Sequence, residues 1–131
     1  MKKDIEIPIA RHIHIAAVHE WDDEFLEKNW YTYLINDRGT AIEMVLIVST
    51  GYEGDRKTAT LRHRLGEIPA KHFVKIEMLQ EDVLTFNNEF FITFFLENKL
   101  YERRFIFDKN SICTANCTAL PLMDKEGVLA I

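Results

Sequence analysis

The stretch that most constrains this chain runs from Ala41 to Leu65. It opens with Ala41-Ile-Glu-Met-Val-Leu-Ile-Val-Ser-Thr50, turns at Gly51-Tyr-Glu-Gly-Asp55, and continues as Arg56-Lys-Thr-Ala-Thr-Leu-Arg-His-Arg-Leu65. In an extended chain Ile42, Met44, Leu46 and Val48 share one face, while Glu43, Val45, Ile47 and Ser49 share the other. Both faces are apolar in the middle, which predicts a strand inside a sheet rather than at its edge. Val, Ile and Thr suit a pleated surface because their χ1 is already restricted, and this β-branched content together with the flanking glycines argues against a buried helix. The second limb alternates, with Ala59, Leu61, His63 and Leu65 opposed to Thr58, Thr60, Arg62 and Arg64, so one of its faces is expected to be buried and one wet. Gly51 and Gly54 supply the positive φ that a short hairpin loop needs.

A chain of 131 residues is expected to form one domain spanning residues 1–131, with one core. Apolar residues at 47% and charged residues at 28% exclude a disordered chain. The net charge of -5 argues against general binding to nucleic acid or anionic lipid, both of which need a basic surface. Met1-Lys-Lys-Asp-Ile-Glu-Ile-Pro8 lacks the apolar run of a signal peptide, and no window is long enough in apolar residues to span a membrane. The expected location is therefore the cytoplasm, with Cys113 and Cys117 as reduced thiols. The glycosylation match Asn116-Cys-Thr118 is then a chance one.

The remaining chain reads as further strands. Ile13-His-Ile-Ala-Ala-Val-His-Glu20 is a first strand with Ile13, Ile15 and Ala17 inward, and Trp30–Ile35 a second, closed by the turn Asn36-Asp-Arg-Gly39. Residues 70–84 fit a strand to Leu79 better than a helix, with Val74, Ile76 and Met78 on one face, Lys75 and Glu77 on the other, and a loop or helical turn after Gln80. Phe90-Phe-Ile-Thr-Phe-Phe-Leu96 and Leu100–Phe107 flank a turn at Glu97–Lys99, and Ala119–Leu122 and Gly127–Ile131 are candidate edge strands. About seven strands at spacings of roughly ten residues predict an all-β, immunoglobulin-like β-sandwich of antiparallel strands, with a closed β-barrel as the alternative.

Chemistry-bearing patterns are sparse. On a strand, His12 and His14 would project from one face and could share a metal ion, but a third and fourth ligand have no motif spacing, so no metal site is expected. Cys113 and Cys117 are spaced unlike zinc or redox pairs. The acidic run Glu20-Trp-Asp-Asp-Glu-Phe-Leu-Glu27 lacks the glycine and regular oxygens of a calcium loop. There is no nucleophile elbow and no glycine-rich phosphate loop, so no catalytic residue and no cofactor is nominated. The basic set Arg62, His63, Arg64, Lys71, His72 and Lys75 and the acidic set Glu20, Asp22, Asp23, Glu24 and Glu27 could orient a protein partner.

Met1–Pro8, the run Glu43–Val48 followed by Gly51, and Leu61-Arg-His-Arg-Leu65 with Pro69-Ala-Lys71 together resemble a group of short bacterial β-proteins. Some members carry the label phenylalanyl-tRNA synthetase alpha subunit. The resemblance implies no established activity, and it transfers no functional residue. A class II synthetase core needs a large antiparallel sheet with ATP-binding arginines, which a chain of this length read as a sandwich does not supply.

The expected function is that of a non-enzymatic protein-interaction or structural module that self-associates. A small-ligand binder or an enzyme is the alternative, and a tRNA-linked accessory protein a more distant one. If Phe90, Ile92, Phe94 and Leu96 fill the core, Phe91 and Phe95 lie on the opposite face, and a homo-oligomer interface is the expected way of covering them. Cover by a loop or by Val128–Ile131 of the same chain is the other possibility.

Overall fold

A computed structural model describes residues 11–131. Its strands are β1 (Ile13–Trp21), β2 (Lys28–Asn36), β3 (Ile42–Glu53), β4 (Arg56–Lys57), β5 (Leu61–Ile68), β6 (His72–Leu79), β7 (Asn87–Leu96), β8 (Lys99–Phe107), β9 (Thr118–Ala119) and β10 (Glu126–Leu129). Short 3₁₀ turns lie at Glu81–Thr85 and Thr114–Asn116. Met1–Pro8, read above as a segment without signal-peptide character, lies outside the described residues.

The strands form two antiparallel sheets. Sheet A has the order β6-β2-β1-β10-β9; sheet B has β3 at its centre, flanked by β4 and β5 on one side and by β7 and then β8 on the other. The chain changes sheet between β2 and β3, between β5 and β6, between β6 and β7, and between β8 and β9, while β3–β5 and β7–β8 are hairpins. Strands β1-β2-β6 against β5-β3-β7-β8 reproduce an immunoglobulin-like sandwich in which the fourth long strand joins the sheet of the third. The sheets do not close into a barrel. On one side Ile131 exchanges two 3.0 Å backbone hydrogen bonds with Ile106 of β8, and on the other the edges β5 and β6 share no ladder.

The hairpin at the centre of the sequence is also central in space. Its turn is two residues, Gly54 at φ +58 and Asp55, between the pairs Glu53↔Arg56 and Tyr52↔Lys57. Gly51 is required by close approach: an added Cβ would come within 3.0 Å of the Thr58 methyl group. The β7–β8 turn at Glu97 (φ 50) and Asn98 (φ 64) has the two positive φ values of a type I′ hairpin.

Ile13, Ile15, Ala17, Leu34, Ile47, Phe90, Ile92, Phe94, Phe105 and Phe107 fill the space between the sheets. Two bulges alter the faces that strict alternation predicts. Met44 takes φ 52, and the β3 ladder skips from Glu43 to Leu46 against β7. The core face of β3 is therefore Ile42, Val45, Ile47 and Ser49; Met44 is 70% exposed, and Leu46 and Val48 face outward. In β6, Thr32 faces Glu77 while the next residue, Tyr33, faces Lys75, so Ile76 is the extra residue. That turns Glu77 and Leu79 inward and leaves Met78 42% exposed, which corrects the expected Val74/Ile76/Met78 face.

The outer faces of the two sheets are treated differently. On sheet A, Ala16, Val18, Tyr33 and Ile35 are covered by Leu120 and Met123 in a second small core. Gly127 makes this layering possible, because a Cβ there would stand 2.6 Å from the Ala17 carbonyl oxygen and 2.9 Å from Leu120. The C-terminal segment pairs with β1 through Val128 and with Ile106 at the β8 edge through Ile131, so its backbone extends a sheet edge instead of lying over the outer face of sheet B.

Candidate functional site

The outer face of sheet B can be read row by row from the register. Arg62, Val48, Phe91 and Arg104 form one row, and Arg64, Leu46, Thr93 and Glu102 the next. Glu43, Phe95 and Leu100 form a third. Directly opposed residues of antiparallel strands share a face, so Leu46, Val48, Phe91, Phe95 and Leu100 make an apolar stripe. Phe91 and Phe95 are half-buried by their neighbours, Leu100 is 40% exposed, and none of the stripe belongs to either core cluster. The stripe is framed by Arg62 and Arg64 along the β5 edge and by Glu102 and Arg104 along β8. Arg104 Nε donates to Glu89 Oε1 at 2.6 Å, whereas Arg62, Arg64 and Glu102 form no ion pair among the described residues.

The two histidines singled out in the sequence do not act as a strand pair. His12 precedes β1 with φ 65, so alternation does not place it on the face of His14. Burial pushes the pKa of His14 down, against the opposing charge of Asp37. No group of three or more metal-ligating side chains occurs among the described residues. Cys113 and Cys117 are free, and burial raises the pKa of Cys117, away from the reactive thiolate. In the acidic connection, Asp22 Oδ1 accepts the amides of Glu24 and Leu26 at 3.1 and 2.9 Å, which folds the loop on itself.

Two charged clusters were not visible in the sequence. On the outer face of sheet A, Glu20 accepts the Tyr33 hydroxyl and Lys125 Nζ, the latter at 2.5 Å, with Lys75 at 3.5 Å. Lys75 also lies 4.1 Å from the Tyr31 ring centre. Burial opposes ionisation of Glu20, but the bonds from Lys125 and Tyr33 outweigh it and hold its pKa below the ordinary value. The same burial, together with the carboxylate, pushes the Tyr33 pKa up.

The second cluster lies between the sheets. Ser49 Oγ donates to Glu77 Oε1 at 2.6 Å, and His63 Nε2 lies 2.7 Å from the same oxygen. Glu77 and His63 side chains are 12% and 22% exposed. An ionised carboxylate only accepts, so the proton of His63 sits on Nε2. The carboxylate stands between serine and imidazole here, whereas activation of a serine requires the imidazole in the middle. Serine, histidine and glutamate come from β3, β5 and β6, and Glu77 reaches them because of the Ile76 bulge, which no residue type announces.

Comparison with protein-family models, curated proteins and solved structures returned no match. Among the described residues no helix is long and apolar enough to cross a membrane.

Proposed function

We propose that this chain is a non-enzymatic interaction module of the cytoplasm that works through self-association, using the outer face of sheet B. The observation that carries the reading is the stripe Leu46, Val48, Phe91, Phe95 and Leu100, which no described segment covers while the equivalent face of sheet A has its own lid. Four strands at about 4.8 Å spacing, averaging about ten residues, give a face of roughly 650 Å² per copy. Two such faces reach the lower end of the roughly 1,200–2,000 Å² of stable interfaces.

Charge also favours a second copy as the occupant. A two-fold axis parallel to the strands lays β5 of one copy over β8 of the other, which brings Arg64 opposite Glu102 of the partner subunit. Arg64 and Glu102, which lack an ion pair within one copy, then find one across the interface, while the same operation sets Arg62 opposite Arg104 of the partner subunit, a residue whose charge Glu89 already meets within its own copy. The inverted order of the Ser49, Glu77 and His63 cluster supports a non-enzymatic role, and the free Cys113 and Cys117 suit a reducing compartment. Charge reversal tests the arrangement: Arg64→Glu and Glu102→Arg should each weaken association about tenfold, and the double variant should restore it. A double variant no better than the singles contradicts the arrangement.

A further inference from the structure

The sandwich opens between residues 58–61 and the 3₁₀ turn Glu81–Thr85, and the opening is a cleft of about 400 Å³. Ser49, Leu79 and Phe90, each at most 5% exposed, form its base, while Leu61 and Met78, 45% and 42% exposed, stand at its rim. Glu77, Asp82 and Glu89 line it, and no lysine, arginine or histidine does. Glu89 is already bound by Arg104 on the outer side. Glu77 is different: Ser49 and His63 both occupy Oε1, and no donor among the described residues reaches Oε2. A carboxylate is thus clamped through one oxygen and offered through the other, at the end of a largely apolar wall.

We infer that this cleft binds a small organic cation, a primary amine on a short aliphatic chain, with the ammonium on Glu77 Oε2 and the chain against Leu61, Met78, Leu79 and Val83. The volume lies within the roughly 300–1,000 Å³ of small-molecule sites, in which apolar walls and a few fixed polar groups divide affinity and orientation between them. A single free oxygen selects an ammonium over a guanidinium, whose planar fork needs both carboxylate oxygens. An anion is disfavoured by Glu77 and Asp82, which no lysine or arginine pairs among the described residues, Glu89 being already met by Arg104. The Ser49 and His63 bonds are positioning contacts: they fix the carboxylate before the ligand arrives, which lowers the ordering cost of binding.

The test uses the full chain and hexylamine, with hexanoate as the control of opposite charge, followed by amide chemical shifts and titration calorimetry. Hexylamine should shift Ser49, Glu77 and Leu79 saturably, and hexanoate should not. Glu77→Gln should weaken hexylamine at least tenfold. Because that change also touches the His63 contact, Leu61→Lys provides a second variant at an exposed position: its ammonium should compete for Glu77 Oε2 and abolish hexylamine binding while the circular dichroism spectrum stays that of the parent. Absence of saturation at millimolar hexylamine, equal shifts with hexanoate, or unchanged affinity in folded Leu61→Lys would each overturn the inference.

Discussion

His63 Nε2 lies 2.7 Å from Glu77 Oε1, a bond that joins the β5 edge of sheet B to the β6 edge of sheet A where no backbone ladder does so. A partly buried charge-assisted contact of this kind contributes about 1.5–3 kcal/mol at most. His63→Ala and Glu77→Gln should each lower unfolding free energy by about 1–2 kcal/mol, within that bound. The double variant should cost about 1 kcal/mol less than their sum, the signature of contacting residues. Denaturant melts of the four proteins measure this, and strict additivity would mean that the contact contributes nothing.

Much of the scaffold is legible in residue type. Alternation places Ile13, Ile15 and Ala17 inward on β1, and the run Phe90–Leu96 separates Phe90, Ile92 and Phe94 from Phe91 and Phe95 as the structure does. Gly54 marks the turn of the hairpin that β3 opens, whereas Gly51 lies within β3 and does not take the positive φ expected of it. The bulges at Met44 and Ile76 are not legible, because neither position carries the glycine or asparagine that signals a positive φ or a break in pairing. Each bulge reverses the faces beyond it. Val45 and Ile47 thus replace Met44 and Leu46 in the core, and Glu77 turns inward to meet residues 14 and 28 positions away. The cleft is a product of that register, so no local pattern could have disclosed it.

Met44 offers a direct check on the β3 bulge. A left-handed backbone costs a side-chain-bearing residue roughly 1–2 kcal/mol, and glycine loses about 0.5–1 kcal/mol of that gain through its freer unfolded chain. Met44→Gly should therefore be as stable as the parent or up to about 1 kcal/mol more stable, since a side chain 70% exposed gives up little burial. Met44→Val should be at least about 1 kcal/mol less stable, because β-branching resists this conformation. A Met44→Gly variant destabilised beyond about 1 kcal/mol would contradict the positive φ.

Glu20 and Tyr33 set opposite pH limits. The Glu20 pKa is lowered on folding, so its stabilisation is complete above the ordinary value of about 4.3 and is lost as pH falls through the folded value. The Tyr33 pKa is raised, so its contribution is complete below about 10 and is lost as pH rises through the folded value. Glu20→Gln should flatten the acid limb of the stability profile, and Tyr33→Phe the alkaline limb. Phenolate absorbance gained up to about pH 11 should be equal in the parent and in Tyr33→Phe.

Self-association through Phe91 and Phe95 is tested most directly by light scattering coupled to size-exclusion chromatography. Each phenylalanine contributes at most about 1.5–3 kcal/mol on full burial, enough together to sustain a dimer before the entropic cost of association. At tens of micromolar the parent should show twice the 15.4 kDa mass of one chain, and Phe91→Lys/Phe95→Lys should elute folded at the monomer mass. A parent that stays monomeric, or a folded double variant with the parent's mass, would contradict the account.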